Sequence, residues 1–243
     1  MKRISLTIAL VTISFFVIAQ ENDKESRAVY KKSFESMKFI GNSDYFFDRK
    51  VNLMKSAEFK TLGIDLNALA KKAGGLSFNE NLLMRDLVIL GTISGREYDT
   101  NPQAYYHTKY TVDIDQVIKG RLSKSRITVV SVSGALGVDS YMNVSGETSL
   151  FLGEKVILCL NNVDVKRMKT AKANGTLQKE INIEGTEFDV IDKYPLKAGY
   201  VFDVYNKKVG TLNEVKIIAK KIESINDSEN FVSRLSINNP NNK

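Results

Sequence analysis

The apolar positions of this chain change period near residue 75, from helical spacing before it to strand alternation after it. Between residues 23 and 72, Ala28, Tyr30, Phe34, Met37, Phe39 and Ile40 recur at spacings that suit one helix face. Gly41-Asn42-Ser43-Asp44 breaks that run. The spacing then predicts a second helix capped by Asp48 and carrying Val51, Met54, Phe59 and Leu62. Gly63 interrupts it, Asp65 restarts it at Leu66, Leu69 and Ala70, and Gly74-Gly75 ends it. Tyr45-Phe46-Phe47 forms an aromatic wedge that reads as core.

Beyond Gly75, Ser77 caps a short predicted helix through Leu82, Leu83 and Met84. Residues 87–93 form a short β-branched run ending in Ser94-Gly95, the signature of a buried strand. Residues 108–118 alternate instead, with Tyr110, Val112 and Ile114 on one face and Thr111, Asp113 and Asp115 on the other. Lys119-Gly120 turns the chain, 126–132 returns as a third strand, and 154–160 supplies a fourth. Gly134, Gly137 and Gly146 mark a polar loop between them, and 161–179 reads as an exposed basic insertion. Residues 181–183 and 199–205 are predicted closing strands, the latter turning at Asn206-Lys207. Thr211 and Glu214 have capping-box spacing before a helix that points Val215, Ile218, Ala219 and Ile222 inward. The expected fold class is therefore α+β: a closed or nearly closed antiparallel β-barrel with an N-terminal helical prefix and a C-terminal helix.

The first 20 residues are of another kind. Lys2 and Arg3 precede an apolar run over 6–18, and Val17-Ile18-Ala19 puts small residues where a signal peptidase reads. The apolar run is shorter than the roughly 20 residues a bilayer span needs. The sequence thus divides into a signal peptide (1–19), a helical prefix (20–75), a barrel domain (76–224) and a polar tail (225–243). Its implied destination is periplasmic or secreted, with no stable membrane anchor after cleavage. Removal of Lys2 and Arg3 takes a net charge of +7 to +5. That surplus is scattered, densest at Lys166-Arg167, Lys169 and Lys172 and again at Lys207-Lys208 and Lys220-Lys221. No run of five like charges occurs, so nucleic acid is not an expected partner, while a mild affinity for anionic envelope surfaces is left open.

The order of elements resembles a family of small exported bacterial domains. The segments that carry the resemblance are DLVILGTI, YTVDIDQVIKG, ITVVSVSG, GEKVILCL and GYVFDVYNKKV followed by a helix. The resemblance covers residues 76–224 and implies a five-stranded OB-like antiparallel β-barrel, similar in shape to the netrin module and to tissue inhibitors of metalloproteinases. Those inhibitors place an N-terminal cysteine on the target's zinc. Here the one cysteine, Cys159, lies mid-strand, so that chemistry does not carry over.

Candidate chemistry is sparse. Cys159 reads as a buried inert thiol, and with one cysteine there is neither an intramolecular disulfide nor a thiolate zinc site. His107 is the sole histidine, too few for a zinc set, and no GxSxG elbow accompanies it. Asp113 and Asp115 share a strand face that the alternation turns to water. No metal, no cofactor and no catalytic residue is expected. What remains is the aromatic decoration of loops: Tyr98, Tyr105, Tyr106 and Tyr141, which strand counting places around one barrel mouth. These are the candidate binding residues, suited to an envelope or extracellular protein or a glycan. The expected function is a non-enzymatic binding or interaction module. Its rivals are an inhibitor of an exported protease, and a hydrolase using His107 with Asp99 or Asp113.

Overall fold

The structure, a computed structural model, describes residues 23–99, 107–135, 141–142, 148–162 and 187–227. The expected signal peptide, Tyr105 and Tyr106, the basic insertion from 163 onward, the expected strand at 181–183 and the tail from 228 lie outside these residues. The chain divides into two compact units, Met1–Glu80 with Ile222–Lys243, and Asn81–Lys221.

The first unit is helical. Helix α1 spans 23–36 and buries Tyr30 and Phe34, one helical turn apart. Helix α2 (Ser43–Asp48) is capped by Asn42, whose side chain accepts from the Asp44 amide at 3.0 Å. Asp48 therefore closes a helix that it was expected to open. The cap is set by the residue that leaves the turn, and here Gly41-Asn42 leaves it six residues earlier. Phe34 stacks on Phe39 with centroids 5.3 Å apart and lies 6.1 Å from Phe46, so Phe46 of the aromatic wedge is core, while Tyr45 and Phe47 are half-buried. A 3-10 turn (Leu53–Lys55) leads into α3 (Ser56–Thr61), and Asp65 caps α4 (Leu66–Leu69) through the amides of Asn67 and Ala68. Helix α5 (Phe78–Met84) opens with a reciprocal capping box in which Ser77 and Glu80 each accept the other's amide.

The second unit is a sheet whose core strands close into a ring. Strands β1 (Leu87–Tyr98), β2 (Thr108–Lys119) and β3 (Arg126–Ser131) form an antiparallel meander. On its other side β1 pairs with β6 (Lys155–Asn162), and β6 pairs with β7 (Glu187–Lys197), both antiparallel. A short parallel contact, Thr128 with Glu187 through Val130 with Asp189, joins β3 to β7 and closes the five-strand circuit. Between β3 and β6 lies a two-residue-per-strand hairpin of β4 (Gly134–Ala135) and β5 (Tyr141–Met142). Beyond β7 the sheet continues as β8 (Tyr200–Phe202) and β9 (Lys208–Thr211), and α6 (Leu212–Asp227) follows.

Ile89 and Ile93 of β1, Val112 of β2, Val129 of β3, Leu158 of β6 and Phe188 of β7 belong to one buried cluster. Strands β1 and β6 are buried on both faces: Val88, Leu90, Ile157 and Cys159 are as enclosed as their neighbours, which is why these two segments read as unbroken apolar runs. Three register shifts interrupt the β1–β2 ladder. The predicted capping box at α6 is formed, with the Thr211 amide and hydroxyl on Glu214 Oε2 at 2.7 and 3.0 Å. The architecture is thus α+β, with a ring of five strands, helices before it and one after it.

Candidate functional site

One end of the ring is built from the last residues of β1, the first of β2, the last of β3 and the β4–β5 hairpin. Here the backbone is stitched tightly. The Asp99 amide donates to His107 O at 2.8 Å, and the His107 amide donates to Ser131 O at 3.0 Å. The imidazole turns inward, 3% exposed, and its Nδ1–H donates to the Asp99 carbonyl at 3.0 Å. Thr108 Oγ1 donates to Ser133 O at 2.6 Å. Gly134 passes so close that a Cβ on it would lie 2.6 Å from His107 Cβ and 2.7 Å from the His107 carbonyl carbon. Any larger residue there would push the hairpin off the end of β2.

On this scaffold sit two aromatic rings. Tyr98 and Tyr141 meet edge to face, with centroids 6.5 Å apart and planes at 87°. They are 40% and 58% exposed, so neither is spent on the core. The Arg96 guanidinium stands 5.1 Å from the Tyr98 centroid, in cation–π range. The result is a small platform of two amphipathic rings edged by one cation. Of the four tyrosines singled out from the sequence, Tyr98 and Tyr141 come together, and Tyr105 and Tyr106 lie outside the described residues. Arg96 was not singled out. Residues i and i−2 of a strand share a face, but that spacing becomes a signal only once Tyr98 is known to be exposed.

The carboxylates considered for acid–base work are engaged elsewhere. Asp113 accepts from Arg126 Nε at 2.6 Å, and that bond holds its carboxyl below the usual range. Asp115 pairs with Lys155 at 2.8 Å. The His107 ring is bonded to the main-chain oxygen of Asp99. Among the described residues, no group of three His, Cys, Asp or Glu side chains is placed to hold a metal ion.

A second polar constellation, invisible in the sequence, ties α5 to β7 inside the second unit. Asn81 Nδ2 donates to Asp192 Oδ2 at 2.7 Å and meets the Tyr194 hydroxyl at 2.9 Å. Asn81 Oδ1 accepts from Nε and Nη2 of Arg85 at 3.1 and 2.7 Å. Lys119 closes the end of α5 with its ammonium on the carbonyls of Leu83 and Arg85. Asn81 and Arg85 are buried and Asp192 is half-buried, so most of this network lies inside the unit. Burial raises the Asp192 carboxyl, against the pull of Arg85 and Asn81.

Cys159, directly opposite Asp192 in the β6–β7 ladder, is fully enclosed. Burial pushes its thiol up to about 12, with Asp192 adding to the shift and Arg85 and Lys119 opposing it. The thiolate is the reactive form, so the folded chain should not react with Ellman's reagent at pH 8. One thiol per chain should appear in denaturant. Rapid titration of a thiol without denaturant would overturn this placement.

No protein-family model matches this sequence, and no curated protein is significantly similar to it. The reading of function therefore stands on the chain's own geometry.

Proposed function

We propose that this protein is a non-enzymatic binding or interaction module of the bacterial envelope, periplasmic or secreted, that takes a protein or glycan on the Arg96–Tyr98–Tyr141 platform. The observation that carries this reading is the edge-to-face pair itself, held in the open by a stitched backbone. Rigid tyrosines supply contact area at low entropic cost, and a neighbouring guanidinium adds a directional anchor for carboxylate or hydroxyl groups. The strand order supports the OB-like resemblance stated from the sequence. In that architecture a strand face and its adjoining loops commonly hold oligosaccharides or other ligands. The burial and local bonding of His107 weigh against the hydrolase alternative.

The Tyr98→Ala/Tyr141→Ala double variant should weaken capture of the partner from an envelope extract by about 30-fold, at roughly 1 kcal/mol per interfacial aromatic. Its thermal midpoint should stay near that of the parent, because both rings are exposed. Undiminished capture would refute the site.

Export is tested separately. Protein recovered from the envelope of the producing cell should begin at Gln20, as intact mass will show. A mass that includes Met1 would refute cleavage.

A further inference from the structure

The β8–β9 hairpin ends in a tip that is rigidly built and yet holds its apolar side chains in water. Asp203 Oδ1 accepts from the amides of Tyr205 and Lys207 at 3.0 and 2.8 Å. The Asp203 amide donates to Lys207 O at 2.9 Å, and Asn206, at φ +62°, donates to Asp203 O at 3.0 Å. Four bonds within five residues fix the turn. Even so, Val204 is 57% exposed and Tyr205 is 88% exposed. A loosely held tip could fold such residues away, whereas this one presents them.

Behind the tip the hairpin has two different faces. Val201 is buried, so Tyr200 and Phe202 project to the opposite side. Over them lie cations, with Lys208 Nζ 3.6 Å from the Tyr200 centroid and Lys197 Nζ 5.7 Å from that of Phe202. Lys207 is exposed beside the tip. The tip's own carboxylate, Asp203, is occupied by main-chain amides. Glu214, the next acid along the chain, is bonded to Thr211 and lies near enough to Lys208 for that ammonium to favour its ionised form.

We propose that this hairpin is a peripheral docking element for an anionic lipid bilayer, with Val204 and Tyr205 entering the headgroup region and Lys197, Lys207 and Lys208 facing lipid phosphates. The chemistry selects that occupant. Lysine is depleted in the cores of protein–protein interfaces but pairs naturally with tyrosine at a membrane–water boundary. A narrow convex tip with two adjacent apolar side chains suits shallow insertion, and three flanking cations suit a negative surface. Attachment of this kind is reversible and needs no spanning segment. It stands on the hairpin alone, independent of the Arg96–Tyr98–Tyr141 platform.

The chain contains no tryptophan, so Tyr205→Trp places a single indole at the tip. With vesicles containing phosphatidylglycerol its emission should shift to the blue and be quenched by brominated acyl chains. Pure phosphatidylcholine vesicles should produce neither effect. In the parent sequence, the Lys207→Gln/Lys208→Gln pair should lower partitioning onto anionic vesicles by about 25-fold at low salt, at roughly fivefold per lysine near such a surface. Both variants lie at exposed positions, so an unchanged thermal midpoint verifies that they fold. Absence of a blue shift on anionic vesicles, equal binding to neutral ones, or a shift seen only with a soluble protein partner would each overturn the proposal.

Discussion

Asn81→Ala should destabilise the ring unit by about 3 kcal/mol, a fall of roughly 6–12 °C in midpoint for a chain of this size. The shortened side chain withdraws four hydrogen bonds to three residues at once. Arg85 loses the acceptor for Nε and Nη2, and Asp192 and Tyr194 lose their contacts to the amide nitrogen. Arg85 is only 7% exposed, so water cannot readily replace what is lost. Asn79→Ala is the control. Its amide makes one bond, to Leu62 O at 2.8 Å, and its removal should cost about 1 kcal/mol. A loss below about 1 kcal/mol at Asn81 would mean that the network is not closed as described.

The same denaturant curves, repeated with pH, read the carboxyl in that network. Burial raises the Asp192 carboxyl above its ordinary value, so the folded state holds this proton longer than the unfolded chain does. Its favourable contribution is full below the unfolded value of about 3.9 and is lost as pH rises through the folded value. Asp192→Asn should therefore gain stability relative to the parent between pH 4 and pH 7. Glu80 has the opposite sign. Burial works against its charge, but Lys72 at 2.6 Å and the bonds from Ser77 prevail, and its carboxyl is lowered. Its contribution is full at neutral pH and is lost as pH falls through the folded value. A parent-minus-variant difference at Asp192 that grew in the parent's favour with rising pH would contradict the burial.

Which parts of this molecule were legible in its sequence follows from where each signal lies. Strands β1 and β6 are apolar on both faces, so their runs declare them, and the alternation of β2 declares its one wet face. Strand β7 escaped notice, although it completes the ring. Its segment EFDVIDKYPLK carries charge at nearly every other position and contains Pro195, which argues against a central strand. The structure accommodates the charges. Lys193, 8% exposed, is neutralised by both oxygens of Glu154 at 2.8 and 2.9 Å, and Asp192 is met by Asn81. Those partners lie 39 and 111 residues away in sequence, so no local pattern reveals them. The end-of-ring platform was partly legible because topology can be counted: two loops separated by two antiparallel strands leave from the same end. Arg96 was missed because a lone arginine on a strand carries no signal until its neighbour two residues on is known to be exposed.

In the helical unit the largest effect is expected from Gly41→Ala. Gly41 has φ +138°, a conformation that L side chains rarely adopt. A Cβ there would lie 1.7 Å from Ala70 O and 2.6 Å from its carbonyl carbon. That oxygen belongs to the C-cap residue of α4, whose own amide is bonded to Leu66 O at 2.9 Å, so it cannot swing aside without fraying the helix. Gly41 must move instead, and it is flanked by two fixed points. Phe39 on one side is stacked in the aromatic cluster, and Asn42 on the other caps α2. The expected cost is about 3 kcal/mol, the sum of backbone strain and a displaced cap. Gly63→Ala separates the two causes. Gly63 is also left-handed, at φ +72°, but nothing lies within 4 Å of its added Cβ. It should lose only about 1 kcal/mol from conformation alone. Urea unfolding followed by the helical circular dichroism signal measures both, and equal losses at the two glycines would show that residues 41 and 70 do not meet.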